Sequence, residues 1–171
     1  MKRAIAASII ALVLLVAVGL FVTRAEAETV KYKITSYITK MEMLPVPDVE
    51  NHFIGEQERR GVAIFENGET AAYHMWCTWD VIIGQGGSYG GYSILSYSDG
   101  STSMIKIEGT QTGEKLWSGK GTAEYIKGTG RFEGIKGNVT YTNKLLTPIT
   151  KDETKGDMII EATGTYTLPK K

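Results

Sequence analysis

Over residues 30–168 apolar side chains recur at every second position, in runs broken by turn residues, and no stretch sustains the 3.6-residue period of an amphipathic helix. A period of two puts alternate side chains on opposite faces of a strand, so the chain buries its apolar half by assembling strands. The last run is the plainest: Met158, Ile160, Ala162, Gly164, Tyr166 and Leu168 face one way, Glu161, Thr163, Thr165 and Thr167 the other. In the first, Val30, Tyr32, Ile34 and Ile38 oppose Lys31, Lys33, Thr35 and Thr39. Asn67-Gly68 supplies the positive φ angles of a tight hairpin between strands over 53–66 and 69–83, and Asp99-Gly100 does the same between 92–98 and 101–110. Strands over 116–127, 128–146 and 157–168 complete eight. Eight short strands admit a sandwich or a closed barrel, and closure removes exposed edges.

The N-terminus sets apart a different segment. Lys2 and Arg3 precede an apolar run over 4–22 that ends at Ala25-Glu26-Ala27, the pattern of a secretory signal peptide cleaved after Ala27. The alternative is an uncleaved anchor, since the run is barely long enough to span the hydrocarbon layer. Residues 28–171 then form a single barrel domain, periplasmic or secreted, with no membrane attachment after cleavage. Removing Lys2, Arg3, Arg24 and Glu26 from 19 basic and 19 acidic residues leaves the mature chain at −2. That balance excludes a nucleic-acid partner, which requires a basic patch or stripe. Cys77 is the single cysteine, so the fold has no internal disulfide and rests on its core. Between Trp76 and Trp79 that thiol reads as a small buried hydrophobe, with a reactive thiol as the alternative.

The stretch 128–141, GTGRFEGIKGNVTY, carries Gly128, Gly130, Gly134 and Gly137. A phosphate cradle needs G-x-G-x-x-G or G-x-x-x-x-G-K-[ST] followed at once by a helix. Here the spacing is G-x-G-x-x-x-G, and Val139-Thr140-Tyr141-Thr142 continues as a strand, so the glycines read as points where a sheet bends. Residues 128–139 resemble the GTGxFEGxxGxV segment of the allene oxide cyclase and dirigent barrel-like group. Gly121-Thr122-Ala123-Glu124-Tyr125 and the tract 58–69 resemble small bacterial relatives of unassigned role. The resemblance implies an eight-stranded antiparallel barrel, lipocalin-like in outline, with an apolar cavity. It transfers no catalytic residues, because no position here matches the cyclase group's catalytic motif.

Within such a barrel the strand AAYHMWCTWDVII, residues 71–83, is the most informative. Tyr73, Met75, Cys77, Trp79 and Val81 share one face; His74, Trp76, Thr78, Asp80 and Ile82 share the other. If the first face lines the lumen it meets Trp117, Tyr125, Tyr141 and Tyr166, with Gly119, Gly121, Ala123 and Gly164 leaving space between the rings. Rings opposite glycines form a pocket or else interlock and fill the interior, because an eight-stranded barrel is only just wide enough for a small ligand. Trp76 on the outer face calls for cover, either by a second copy of the chain or by a loop.

Strand geometry decides among the catalytic and metal constellations. His74 and Asp80 share a face but stand about 20 Å apart at the strand rise. Glu56 and Glu58, about 7 Å apart, have the separation of an acid and base pair, yet Arg59 and Arg60 follow and make this a charged outer face. His52, His74, Met75, Cys77, Met41 and Met43 show no metal-ligand spacing. The sequon Asn138-Val139-Thr140 falls inside a strand and reads as chance. Residues 41–51, with Pro45 and Pro47, read as a long irregular lid, and the glycines near 83–87 as a flexible loop. No catalytic residue, metal or cofactor is assigned. The sequence thus points to an exported barrel that holds a small hydrophobic or aromatic molecule oriented by tyrosine hydroxyls. The alternatives are an isomerase or cyclase acting on that molecule and a structural module with a filled core.

Overall fold

The computed structural model describes residues 26–111, 118–147 and 156–170. Residues 1–25, 112–117, 148–155 and 171 lie outside this range. Eight strands run in chain order: β1 (Glu28–Pro45), β2 (His52–Phe65), β3 (Thr70–Ile82), β4 (Gly86–Tyr97), β5 (Thr102–Gln111), β6 (Ser118–Thr129), β7 (Lys136–Leu145) and β8 (Met158–Thr167). Each pairs antiparallel with its neighbour, and β8 returns to β1 to close the barrel. Of the two architectures open to eight strands, the chain adopts the one that leaves no sheet edge.

Alternation delivers the core as the sequence predicts: Val30, Tyr32, Ile34, Ser36 and Ile38 of β1 and Ala71, Tyr73, Met75, Cys77, Trp79 and Val81 of β3 are buried in the interior. Two bulges reset the parity. In β1 an extra residue at Thr39 separates the Ile38–Arg59 and Lys40–Glu58 pairs, so Met41 rejoins the core. In β6 Ile126 is extra between the Tyr125–Ile105 and Lys127–Met104 pairs, and it turns outward, 42% exposed. A bulge bends its strand and increases the twist that closure requires.

Three expectations are corrected. Residues 41–45 belong to β1 and pair with β2 as far as Pro45–Phe53, leaving a short turn over 46–51. Beyond Ser36 β1 has no β8 partner among the described residues, so the amide that Pro45 lacks leaves no described ladder bond unmade. Gly86 and Gly87 open β4, both paired with β3 and Gly87 also with β5, despite their low strand propensity. The 128–141 glycines shape a turn more than a bend: Gly130 (φ 61°) and Gly134 (φ 75°) flank a single 3-10 turn, Gly130–Phe132, that separates β6 from β7. Both lie in the left-handed region that glycine enters at little cost.

That turn drops Phe132 into the barrel end where the β2–β3, β4–β5 and β6–β7 connections lie. There the rings form a tilted lattice, with centroid separations of 5.0 Å for Tyr32–Phe65, 5.8 Å for Phe65–Tyr97, 4.6 Å for Tyr97–Phe132 and 6.0 Å for Tyr125–Tyr166. Offset rings at these distances pack favourably and plug this end. The outer wall carries cross-strand ion pairs, among them Lys33–Glu161 and Lys40–Glu56 at 2.8 Å, where a membrane barrel presents an apolar band.

Candidate ligand-binding site

Above the plug the interior narrows to a cavity of about 50 Å³ lined by residues of all eight strands. Tyr73, Met75, Cys77 and Trp79 of β3 line it, as does Tyr141 of β7. Tyr125 and Tyr166 stand in the ring lattice at the plugged end, and Trp117 lies outside the described residues. Tyr32, Gln57, Tyr89, Ser93, Gln111 and Asn143 also line the cavity; a search of the sequence for large rings on one strand passes over them.

Space left by glycines is taken up by rings. A Cβ on Gly55 would stand 2.5 Å from the Trp79 ring, one on Gly109 2.5 Å from the Tyr89 hydroxyl, and one on Gly121 2.5 Å from the Tyr141 hydroxyl. Tyr89, Gly109, Gly121 and Tyr141 are successive cross-strand partners on β4, β5, β6 and β7, so both phenols lie over a two-glycine floor. Asn143 Nδ2 donates to the Tyr89 hydroxyl at 2.6 Å, and the Tyr141 hydroxyl donates to the Glu108 carbonyl at 3.2 Å.

Beneath them lies a group that the sequence assigns to the outer wall. Arg59 follows two glutamates in what reads as a charged outer face, yet it points into the barrel and is fully buried, while Glu56, Glu58 and Arg60 point out. Its parity with Ala63 and Gln57 is the available signal; Val62 and Ile64, exposed on the opposite parity, obscure it. Arg59 Nε donates to Ser36 Oγ at 3.2 Å, Nη1 to Gln57 Oε1 at 3.3 Å, and Nη2 to the carbonyls of Ser36, at 3.3 Å, and Gly156. Gln57 in turn donates through Nε2 to Cys77 Sγ at 3.3 Å.

Burial fixes the chemistry of this lining. It pushes the Tyr32, Tyr73, Tyr89 and Tyr141 phenols and the Cys77 thiol up, so at neutral pH they are protonated donors rather than bases or nucleophiles. Desolvation lowers Arg59, which nonetheless keeps its charge. Among the described residues no carboxylate lines the cavity. Such an interior can orient an acceptor and stabilise negative charge.

The other candidates lie elsewhere. Glu58 bonds His74 at 2.5 Å and Arg60 at 3.4 Å, and Glu56 bonds Lys40, the cross-strand pairing of a solvated face. His74 does not meet Asp80; His52 does, with Nε2 at 2.6 Å from Asp80 and Nδ1 at 2.6 Å from Asp48. Opposite nitrogens face opposite carboxylates, which makes a clamp rather than a common coordination point. Trp76, 41% exposed, stacks on His74 at 3.7 Å beside Tyr92, 43% exposed.

Together these features define a closed, antiparallel eight-stranded barrel, plugged at one end, with a phenol-lined and cationic interior. Solved structures of similar fold include two pterocarpan synthase dirigent proteins. One matches at 12% identity and TM-score 0.49 over 85% of this chain and 93% of its own, the other at 14% and 0.48 over 86% and 99%. A protein of unknown function from the DUF3224 family of Shewanella oneidensis MR-1 matches at 14% identity and TM-score 0.47, over 86% of this chain and 100% of its own. Dirigent proteins belong to the group that residues 128–139 resemble, and small bacterial proteins of unassigned role are what residues 121–125 and 58–69 resemble. No family model matches the chain, and no curated protein matches its sequence.

Proposed function

We propose that this chain is an exported barrel that binds a small, ring-sized apolar or aromatic molecule in its lumen, entering at the end opposite the ring plug. The observation that carries this is the polar lining of an otherwise apolar interior: Gln57, Gln111, Asn143 and the tyrosine hydroxyls converge on one cavity, the composition of a site that orients a ligand. A filled structural core would be better served by aliphatic side chains there, since each buried polar group needs a partner. The cavity of about 50 Å³ has room for a water or two. A ligand therefore takes the place of the Tyr89 and Tyr141 rings, which are only half-buried and rest on glycine. Among the described residues the lining supplies donors and no carboxylate, which suits holding an acceptor in place.

The test is a thermal-shift screen of the mature chain against small aromatic and alicyclic compounds, since a ligand bound to the native state alone raises Tm by mass action. At least one compound stabilises the native protein, and Tyr89→Ala, which widens the entrance, changes the affinity. Absence of any shift across the panel rejects the lumen as a site. Export is checked by the intact mass of periplasmic or secreted material, which begins at Glu28. A second copy would cover Trp76 and Tyr92, and light scattering of a Trp76→Glu variant beside the native chain reads that contact.

A further inference from the structure

We propose that the ligand is a monocarboxylate, its ionised head received by the Arg59 guanidinium and its apolar body held against Tyr73, Met75 and Trp79 in the space that the Tyr89 and Tyr141 rings give up. This rests on the lumen being a binding site and names what the site selects.

The electrostatics of the chain's arginines run against the usual order. Exposed Arg131 pairs with Glu69 and Asp99, and exposed Arg60 pairs with Glu58. Arg59, with no solvent exposure, has no ion pair among the described residues. Burying a charge costs several kcal/mol unless an anion offsets it. The acceptors Arg59 does have are neutral oxygens, and three of its bonds are 3.2–3.3 Å, longer than the roughly 2.7–2.9 Å of a charged pair. Four of its five N–H groups are so engaged, which leaves one on Nη1 without an acceptor among the described residues. Asp157 adds to the field at Arg59, but its carboxylate accepts from Thr147 Oγ1 at 3.3 Å. Holding Ser36, Gln57 and Gly156 together needs donors, not a full charge.

The charge is also placed to be reached. Gln57 is the partition between Arg59 and the cavity, accepting from Nη1 with Oε1 while its other face lines the lumen beside Cys77 and Tyr73. A ligand carboxylate that displaces the Gln57 amide oxygen takes the Nη1 hydrogens, including the unused one. A single guanidinium balances a single negative charge. A phosphate dianion would leave one charge uncompensated in the same low-dielectric interior, so the carboxylate is the fitting class.

Calorimetry of the mature chain with benzoate and 2-naphthoate, each against its neutral amide, tests this. The native protein binds the acids at least tenfold more tightly than the amides. Arg59→Met reduces that ratio below threefold while amide affinity holds. Gln57→Glu, which supplies an internal carboxylate to Arg59, raises Tm at pH 7 and abolishes the acid preference, and it decides the matter should Arg59→Met fail to fold. Equal binding of acids and amides by the native chain, or an acid preference surviving either substitution, overturns the proposal and leaves the lumen site standing. If neither acids, amides nor the aromatic panel bind, the lumen reading fails and this proposal with it.

Discussion

Tyr89 and Gly109 face each other across the β4–β5 pair so closely that a methyl group on the glycine would stand 2.5 Å from the phenol oxygen. Gly109→Ala must displace both Tyr89 and Tyr141, whose hydroxyl would lie 2.8 Å away, and it costs about 1–3 kcal/mol as overpacking. Combined with Tyr89→Leu the loss is less than additive, by about 0.5 kcal/mol or more. Urea denaturation of the four proteins of the cycle checks this; strict additivity would separate the ring from the glycine.

Positive φ and crowding are separable at two turns. Gly68, with φ 85° and nothing within 4 Å of the place a methyl group would take, loses only the left-handed allowance in Gly68→Ala, about 1 kcal/mol. Gly68→Asn loses less, since asparagine tolerates that region. Gly130, with φ 61° and Ser101 Oγ in the way, loses about 2–3 kcal/mol in Gly130→Ala. Thermal melts should rank Gly68→Asn, Gly68→Ala and Gly130→Ala in that order of falling Tm, at about 2–4 °C per kcal/mol.

His52 bridges Asp48 and Asp80, and both contacts are hydrogen bonds only when the ring carries two protons. The Asp80 carboxylate, then that of Asp48, holds the imidazole above its usual pKa. A raised native pKa stabilises fully below the unfolded value of about 6.5, and that contribution is lost as pH rises through the native value. The His52 bond holds Asp48 below its ordinary range, so its share is present above about pH 3.9 and lost as pH falls through the native value. The Tm advantage of the native chain over His52→Gln should therefore be largest between about pH 4 and 6.5 and shrink toward pH 9. An advantage independent of pH contradicts the clamp.

Cys77 is 4% exposed, and burial raises its thiol pKa. Iodoacetamide at pH 8 should alkylate it at least about a hundredfold more slowly in the native protein than in urea, because reaction waits on opening of the barrel. Mass spectrometry at timed intervals measures both rates, and equal rates would place the thiol at the surface.

The fold was legible because a two-residue period is local: β8 and β3 declare their inner faces within ten residues, and Asn67-Gly68 marks a hairpin by its own backbone preference. The group resemblance of residues 128–139 added closure. Less was legible wherever one extra residue reset the count, as at Thr39 and Ile126, because a bulge leaves no compositional mark. Pro45 and the β4 glycines read as loop from propensity alone, and neighbouring strands overrode it.

By itself, then, the sequence determined which side chains alternate and where hairpins turn, since these depend on neighbours a few residues apart. Only the tertiary structure decided what the lumen holds. Tyr89 meets Gly109 and Tyr141 meets Gly121 through strand register, and Arg59 lies inside through the pairing of β2 with both β1 and β3. Register joins residues far apart in the chain, and shifting it by one would send that guanidinium back to water.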